Sequence, residues 1–388
     1  MKKIYMGFNT SGNNQTSGRT TNAVLLGKLR NTPGSISRKF KYCNNNSSSL
    51  EQTLQCVFDI PSIPSIPSED TSGKYQIAVG DNAFAISKDY GITWEQKPNF
   101  AGIGLRSVAI SQDGQFILTG GRGTPLYRST NGGDTFNIVP DTSGFNWNEI
   151  KMSKSGQYQT ATGPSHSVYV SNDYGETFNI VPLLINGAYF STYLSMSDNG
   201  QYQTITDTNN AYIFVSSNYG AIFNQIDGSI FSNGVSSSAM SANGQIQMAV
   251  DQYWRVFKSI NYAQNWQQVA DLSGQGVTEL YFISVSSSAQ YQLIPSPAPP
   301  TGNFLFVSND FGENWSTNVN IDGIPQNISP FVYKTWFLCQ VSSSGKYQTV
   351  TDSYDGNIGN IYTSSDFGKN FYKRISAGEE AWYSIFMS

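Results

Sequence analysis

Apolar residues recur two apart in short runs along most of this chain, and the runs repeat at a near-constant distance. Val108/Ile110, Ile150/Met152, Leu194/Met196 and Ile283/Val285 are such pairs, each with a small or polar residue between. A period of two puts both members on one face of an extended segment, so each run predicts a β-strand. The runs end in Ser, then two spacers, Gly, and a Gln or Lys, an aromatic and Gln. Ser153-Lys-Ser-Gly156-Gln-Tyr158-Gln159 and Ser197-Asp-Asn-Gly200-Gln-Tyr202-Gln203 are full copies, with variants at Ser111–Phe116, Ser241–Gln247, Ser286–Gln292 and Ser342–Gln348. Gly among polar residues between two apolar runs predicts a tight turn joining antiparallel strands.

A second motif interleaves with the first. Its fullest form is Ser87-Lys-Asp89-Tyr-Gly91-Ile-Thr93-Trp94, and its Ser recurs at 129, 171, 216, 259, 308 and 364. Successive copies lie 42, 42, 45, 43, 49 and 56 residues apart. Each unit therefore reads strand, tight turn, strand, loop, strand, box, strand. Four short antiparallel strands in about 40–45 residues is the size of one propeller blade. The expectation is an all-β chain: a seven-bladed β-propeller of four-stranded antiparallel blades.

The two ends of the array fit each other. Trp382-Tyr-Ser-Ile385-Phe-Met387-Ser388 matches the innermost strand of a blade, and Gly73-Lys-Tyr75-Gln76 matches a second strand that has no first. The last strand is expected to complete the first blade, closing the ring without an open sheet edge. The propeller is then residues 69–388. Residues 60–68 repeat Ile-Pro-Ser and predict an extended, semi-rigid spacer. Residues 1–59 form a basic, Asn/Ser-rich extension.

In the boxes, Ser and the Asp or Asn oxygen can accept backbone N–H bonds while Gly allows positive φ. The final Trp or Phe is expected to drop between sheets. Asp89, Asp173, Asp310 and Asp366 alternate with Asn131, Asn218 and Asn261 at the same place. The turn needs an oxygen acceptor rather than a charge, which assigns these residues to structure and not to catalysis or metal binding.

This motif resembles the Asp box, or bacterial neuraminidase repeat, of sialidases, sortilin-type receptors, xyloglucanases and a photosystem II assembly propeller. The resemblance implies a propeller and leaves function open. Sialidases of that family need an arginine triad, a Tyr nucleophile with a Glu partner and an Asp acid, and usually have six blades. Here seven boxes are present, and Arg106, Arg122, Arg128, Arg255 and Arg374 are the only arginines of the array. No triad is assignable. Boxes alternating with Ser-x-x-Gly-Gln-Tyr-Gln in an Asn-rich chain also look like non-enzymatic propellers of giant DNA viruses, which implies a particle-associated or host-interacting protein.

Charge changes the picture next. Residues 1–68 hold eight Lys/Arg against two Asp/Glu, a net of +6, and residues 69–388 hold fifteen against twenty-five, a net of −10. A basic arm on an acidic body is expected to dock on something anionic, a protein partner or a larger assembly, or to lie across its own body. The acidic propeller should not bind nucleic acid. No apolar run is long enough to span a membrane, and the first ten residues lack the apolar core of a secretory signal. A cytoplasmic or virion-associated protein is the expectation. Cys43, Cys56 and Cys339 are too few for a disulfide scaffold.

Candidate chemistry falls on the face opposite the boxes, in the loops between second and third strands. Asp81, Asp207, Asp251 and Asp352 hold equivalent places in four blades, with Asp355 nearby. Arg122, Trp147 and Trp254 lie in the same upper loops, as does Trp336. Carboxylates around a mouth could do glycosidic acid–base work, bind a cation, or merely cap their own turns. Aromatics beside them could stack on a sugar or pack inside the blades. His166 is the only His, so no multi-His metal site is expected, and no cofactor is implied. The leading expectation is a non-catalytic interaction propeller. A carbohydrate-binding propeller is the alternative, and a sialidase-like hydrolase a further one.

Overall fold

The computed structural model describes residues 70–163, 167–183, 192–208, 211–231, 234–275, 279–297, 304–326, 335–352 and 357–388. The basic arm, the Pro-rich spacer, Cys43, Cys56, His166 and Asp355 lie outside the described residues.

Seven antiparallel blades stand in a ring, with almost no helix. From inner to outer strand, the second blade begins with Leu105–Ile110, the third with Glu149–Met152, the fourth with Thr192–Met196 and the fifth with Ser237–Met240. Ser284–Val285 opens the sixth and Cys339–Val341 the seventh. The sixth blade has three named strands, and its fourth position is the Val307–Ser316 bridge. Each inner strand packs on the next around the circle, and Trp382–Met387 packs on both the seventh and second blades.

Trp382–Met387 is the inner strand of the first blade. It pairs with Gln76–Gly80, in register from Gln76 opposite Met387 to Val79 opposite Ser384. Gln76–Gly80 pairs on its other side with Phe84–Ser87, which pairs with Glu95–Gln96. The strand from the far end of the chain therefore completes the blade, as the matching ends predict. Trp382, Ile385 and Met387 are buried there.

The boxes repeat one geometry seven times. The Ser Oγ accepts the N–H of the residue four on, at 2.9–3.1 Å, from Gly91 to Gly368. The Asp or Asn Oδ1 accepts the N–H four residues beyond itself, again at 2.9–3.1 Å. Asp and Asn perform this identically, because only the carbonyl-type oxygen is used. Six boxes place an aromatic ring at positive φ: Tyr90, Tyr174, Tyr219, Tyr262, Phe311 and Phe367. Such backbone costs a non-Gly residue about 1–2 kcal/mol. Stacking on the preceding blade offsets it: Tyr158 lies 4.3 Å from Tyr219, Tyr202 4.4 Å from Tyr262, and Tyr347 4.3 Å from Tyr90.

A buried Gln binds a blade to its neighbour at three of the blade contacts. Gln203 donates to the carbonyl of Gly200 at 3.1 Å and accepts the Thr160 hydroxyl of the preceding blade at 2.8 Å. Gln247 with Thr204, and Gln76 with Thr349, repeat the link. A side chain at Gly220 would meet the Gln203 amide at 3.1 Å, so the box Gly also serves this close approach.

The long insertion after the sixth box adds to a sheet. Asn320–Ile321 runs parallel to Asn370–Lys373, the outer strand of the seventh blade, and turns back through Ile324–Pro325. The six-stranded blade that results has its outer edge covered. Trp336, beyond the insertion, is 1% exposed and stacks edge-on to Tyr362.

Candidate functional site

All seven inner strands start on one face and end on the other, because each blade repeats the same up-and-down order. The boxes and Ser-x-x-Gly turns share the lower face. The loops between second and third strands, and the starts of the inner strands, share the upper face.

The lower end of the channel is braced. The residue after each turn Ser donates its N–H to the equivalent carbonyl of the next blade: Gln112 to Lys154, Lys154 to Asp198, Asp198 to Ala242, Ala242 to Ser287 and Ser287 to Ser343, at 2.8–3.0 Å. Lys154 Nζ lies 2.5 Å from Asp198 Oδ2 and 3.3 Å from Ser287 Oγ. That joins the third, fourth and sixth blades, so the link must cross the channel.

The upper end opens into a vestibule of about 230 Å³. Arg106, Arg122, Glu149 and Lys151 line one side, and Phe282 and Phe337 the other. Tyr193 and Tyr383 complete its wall. Phe282 packs edge-on against Phe337 at 5.0 Å and Tyr193 at 5.4 Å. Below it the channel holds about 170 Å³ more. Burial, reinforced by the Glu149 carboxylate, pushes the Tyr193 phenol well above its ordinary pKa. Lys151 pairs with Glu149. Cys339 also faces this space; burial pushes its thiol far up and Sγ contacts the Leu293 carbonyl, so it behaves as an inert buried thiol.

Arg106 is the best-defined cation of the vestibule. Its guanidinium lies 3.4 Å above the Tyr383 ring and 3.1 Å from Asp81 Oδ1, while the Tyr383 hydroxyl donates to Asp81 Oδ2 at 3.0 Å. Its Nε is buried without a hydrogen-bond partner. Arg122 is exposed on the long hairpin strand Ile117–Thr124, which pairs with Phe145–Asn146.

The other upper-face residues singled out by sequence are spread apart. Asp207 is 1% exposed. Asp251 is fully buried, accepts the N–H groups of Tyr253 and Arg255 at 2.9 and 3.0 Å, and pairs with the Arg255 guanidinium at 2.5 Å. Asp352 accepts from the Asn360 backbone and the Tyr362 hydroxyl within its own hairpin. None of the three lines the vestibule. Trp147 is buried, donating to the Thr124 carbonyl at 3.0 Å and packing edge-on to Tyr169. Trp254 packs on the fifth-blade core at φ 69°. Asp81 alone of these carboxylates reaches the vestibule, through Arg106. Among the described residues no group of three His, Cys, Asp or Glu is placed to hold a metal, and no helix is long and apolar enough to cross a membrane.

Sequence reasoning missed Glu149, Lys151, Tyr193, Phe282, Phe337 and Tyr383 as site residues, and named Arg106 only among the five arginines from which no triad is assignable. A signal was present: Glu149, Tyr193 and Phe282 each stand one residue before the first apolar residue of a pair, where an inner strand enters the channel mouth.

Comparison with known proteins agrees with the propeller fold. A family model for the BNR-Asp box repeat matches residues 361–375, the seventh box and its flanking strands. No curated protein sequence matches the chain. The solved structure of YCF48 bound to D1 peptide is 15% identical, with a TM-score of 0.54 over 72% of this chain and 86% of that chain. YCF48 from Cyanidioschyzon merolae is 12% identical, with a TM-score of 0.52 over 71% of this chain and 86% of that one. The GH74 xyloglucanase from Xanthomonas campestris is 13% identical at TM-score 0.54, covering 77% of this chain and 46% of that one. Likeness at this identity is likeness of fold.

Proposed function

We propose that this chain is a non-catalytic interaction propeller that holds a segment of a protein partner at the upper vestibule. The observation that carries the reading is a channel braced below by Lys154, Asp198 and Ser287 and opening above into a space walled by aromatic rings and three cations. Concave sites that set aromatic side chains beside a few placed polar groups are where ligands bind. Two further features support it. Asp251 and Asp352 spend oxygens on their own hairpins, which withdraws two of the upper-face carboxylates from glycosidic acid–base work. A structurally similar propeller, YCF48, has been solved with a peptide bound.

The basic arm, residues 1–68, is proposed to tether the propeller to an anionic surface of a larger assembly, on the strength of its +6 charge beside a −10 body. Association with a virus particle rests on the box-and-turn pattern and the Asn-rich composition alone.

The test is an array of 12-residue peptides probed with the full chain, with hydrogen exchange locating bound peptide. Protection at the starts of the inner strands, and no sugar released from xyloglucan or sialyllactose, is expected. Protection confined to the box face, absence of any bound peptide, or sugar turnover would overturn the reading.

A further inference from the structure

We infer that the vestibule recognises a carboxylate standing beside an apolar side chain; this deepens the interaction reading above and rests on it.

The first observation is the sign of the charge. Residues 69–388 carry a net −10, yet the charged groups of the vestibule are Arg106, Arg122 and Lys151 against Glu149 and, behind Arg106, Asp81, which leaves a net positive charge. A cationic mouth in an anionic body focuses anions onto one point and turns them away elsewhere.

The second is unspent donor capacity. The Arg106 guanidinium gives one amino group to Asp81 and its face to Tyr383, which fixes its position, and its buried Nε has no acceptor. A buried N–H left unpaired is destabilising, and an incoming acceptor would recover that cost. Arg122, exposed at the same mouth, makes no ion pair among the described residues. A pre-positioned guanidinium with a second one nearby suits a carboxylate, whose two oxygens accept in parallel.

The third is the opposite wall. Phe282, Phe337 and Tyr193 meet edge to face and offer an apolar surface across the space from the cations. Asp251 and Asp352, which could have gripped sugar hydroxyls, are turned into their own blades, and Asp81 is held by Arg106. The ligand that matches both walls is a peptide whose carboxylate lies next to a Leu or aromatic side chain. The carboxylate could be a chain end or an Asp or Glu side chain.

The test uses the full chain and three N-acetylated peptides, followed by calorimetry: Ala-Ala-Leu-Phe with a free carboxylate, the same peptide as its C-terminal amide, and Ala-Asp-Leu-Phe amide. One of the two carboxylate forms should bind, and the uncharged amide at least about tenfold more weakly. Preference for the first or the third assigns the carboxylate to chain end or side chain. Arg122→Gln, exposed and free of ion pairs, should weaken binding by about three- to tenfold while the protein melts unchanged. Arg106→Gln should weaken it by more than tenfold, and its melting curve reports whether the fold is kept. Equal binding of all three peptides, or full binding by both variants, would overturn the carboxylate inference while leaving the peptide-binding reading intact. Binding of sialyllactose with the same arginine dependence, and of no peptide, would overturn both.

Discussion

The backbone N–H of Tyr75 donates to the hydroxyl of Ser388 at 3.2 Å, across 313 residues of chain. Ser388 N–H in turn donates to the Tyr75 carbonyl at 2.9 Å, and Gly73 N–H to the Ser388 carbonyl at 2.7 Å. The same bonds join Ser153 to Tyr158 and Gly156 within one continuous turn. The first blade thus builds its turn from both ends of the array.

Removal of residues 382–388 should abolish cooperative unfolding. It deletes the buried Trp382, Ile385 and Met387 and bares the edge of Gln76–Gly80. Losses of about 2–5 kcal/mol for each large buried side chain together approach or exceed the usual 5–15 kcal/mol stability of a fold. Circular dichroism melting and size-exclusion chromatography should show a broadened transition and aggregation. Ser388→Ala, which removes a single hydroxyl, should cost only about 1 kcal/mol.

Gln203→Ala should destabilise by about 2–3 kcal/mol. It leaves the Gly200 carbonyl and the buried Thr160 hydroxyl without their partner. Thr160→Val in the Gln203→Ala background should cost little further, since the pair acts as a unit. Urea denaturation of the two single variants and the double variant measures the coupling.

Tyr219→Gly should be less harmful than Tyr219→Ala, by about 1 kcal/mol. Both lose the stack on Tyr158 at 4.3 Å, but only Ala keeps a Cβ at φ 63°. A thermal midpoint for Ala equal to or above that for Gly would refute the strain argument.

Acid sensitivity should reside partly in the boxes. Burial pushes the carboxyls of Asp89 and Asp173 up, but hydrogen bonds from Thr93 and Ser87, and from Thr177 and Ser171, outweigh it and hold both below the ordinary value. A carboxylate with a depressed folded-state pKa stabilises above the unfolded value near about 3.9, and that contribution is lost as pH falls through the folded value. Asp89→Asn with Asp173→Asn should therefore change stability by less than about 1 kcal/mol at pH 7 and flatten the melting temperature below about pH 4. The second box already carries the exchange: Asn131 keeps the Oδ1 bond to Thr135 N–H and donates its amide to the Thr135 hydroxyl at 2.9 Å.

Much of the fold was legible because its rules are local. The Ser, the Asp or Asn and the Gly of each box, Ala263 in the fifth, bond within eight residues of one another, so seven spellings of the box meant seven turns of one shape. Equivalent places in the upper loops carried no such guarantee. Asp81 and Asp251 occupy the same position in their blades, yet Asp251 meets Arg255 four residues on and is buried, while Asp81 meets Arg106 of the next blade. Trp147 and Trp336 read as upper-loop aromatics, but each sits under its loop, in the core.

The sequence by itself determined the blade count, the turn chemistry and the strand that closes the ring, because repetition and short-range hydrogen bonding record these along the chain. Only the tertiary structure decided the vestibule. Arg106, Lys151, Phe282, Phe337 and Tyr383 come from five different blades, and their places near the starts of the inner strands do not by themselves say which side chains meet. What brings them together is closure of the ring, which gathers the starts of the inner strands around one axis; no local interaction couples Arg106 to Tyr383 until that closing strand is in place.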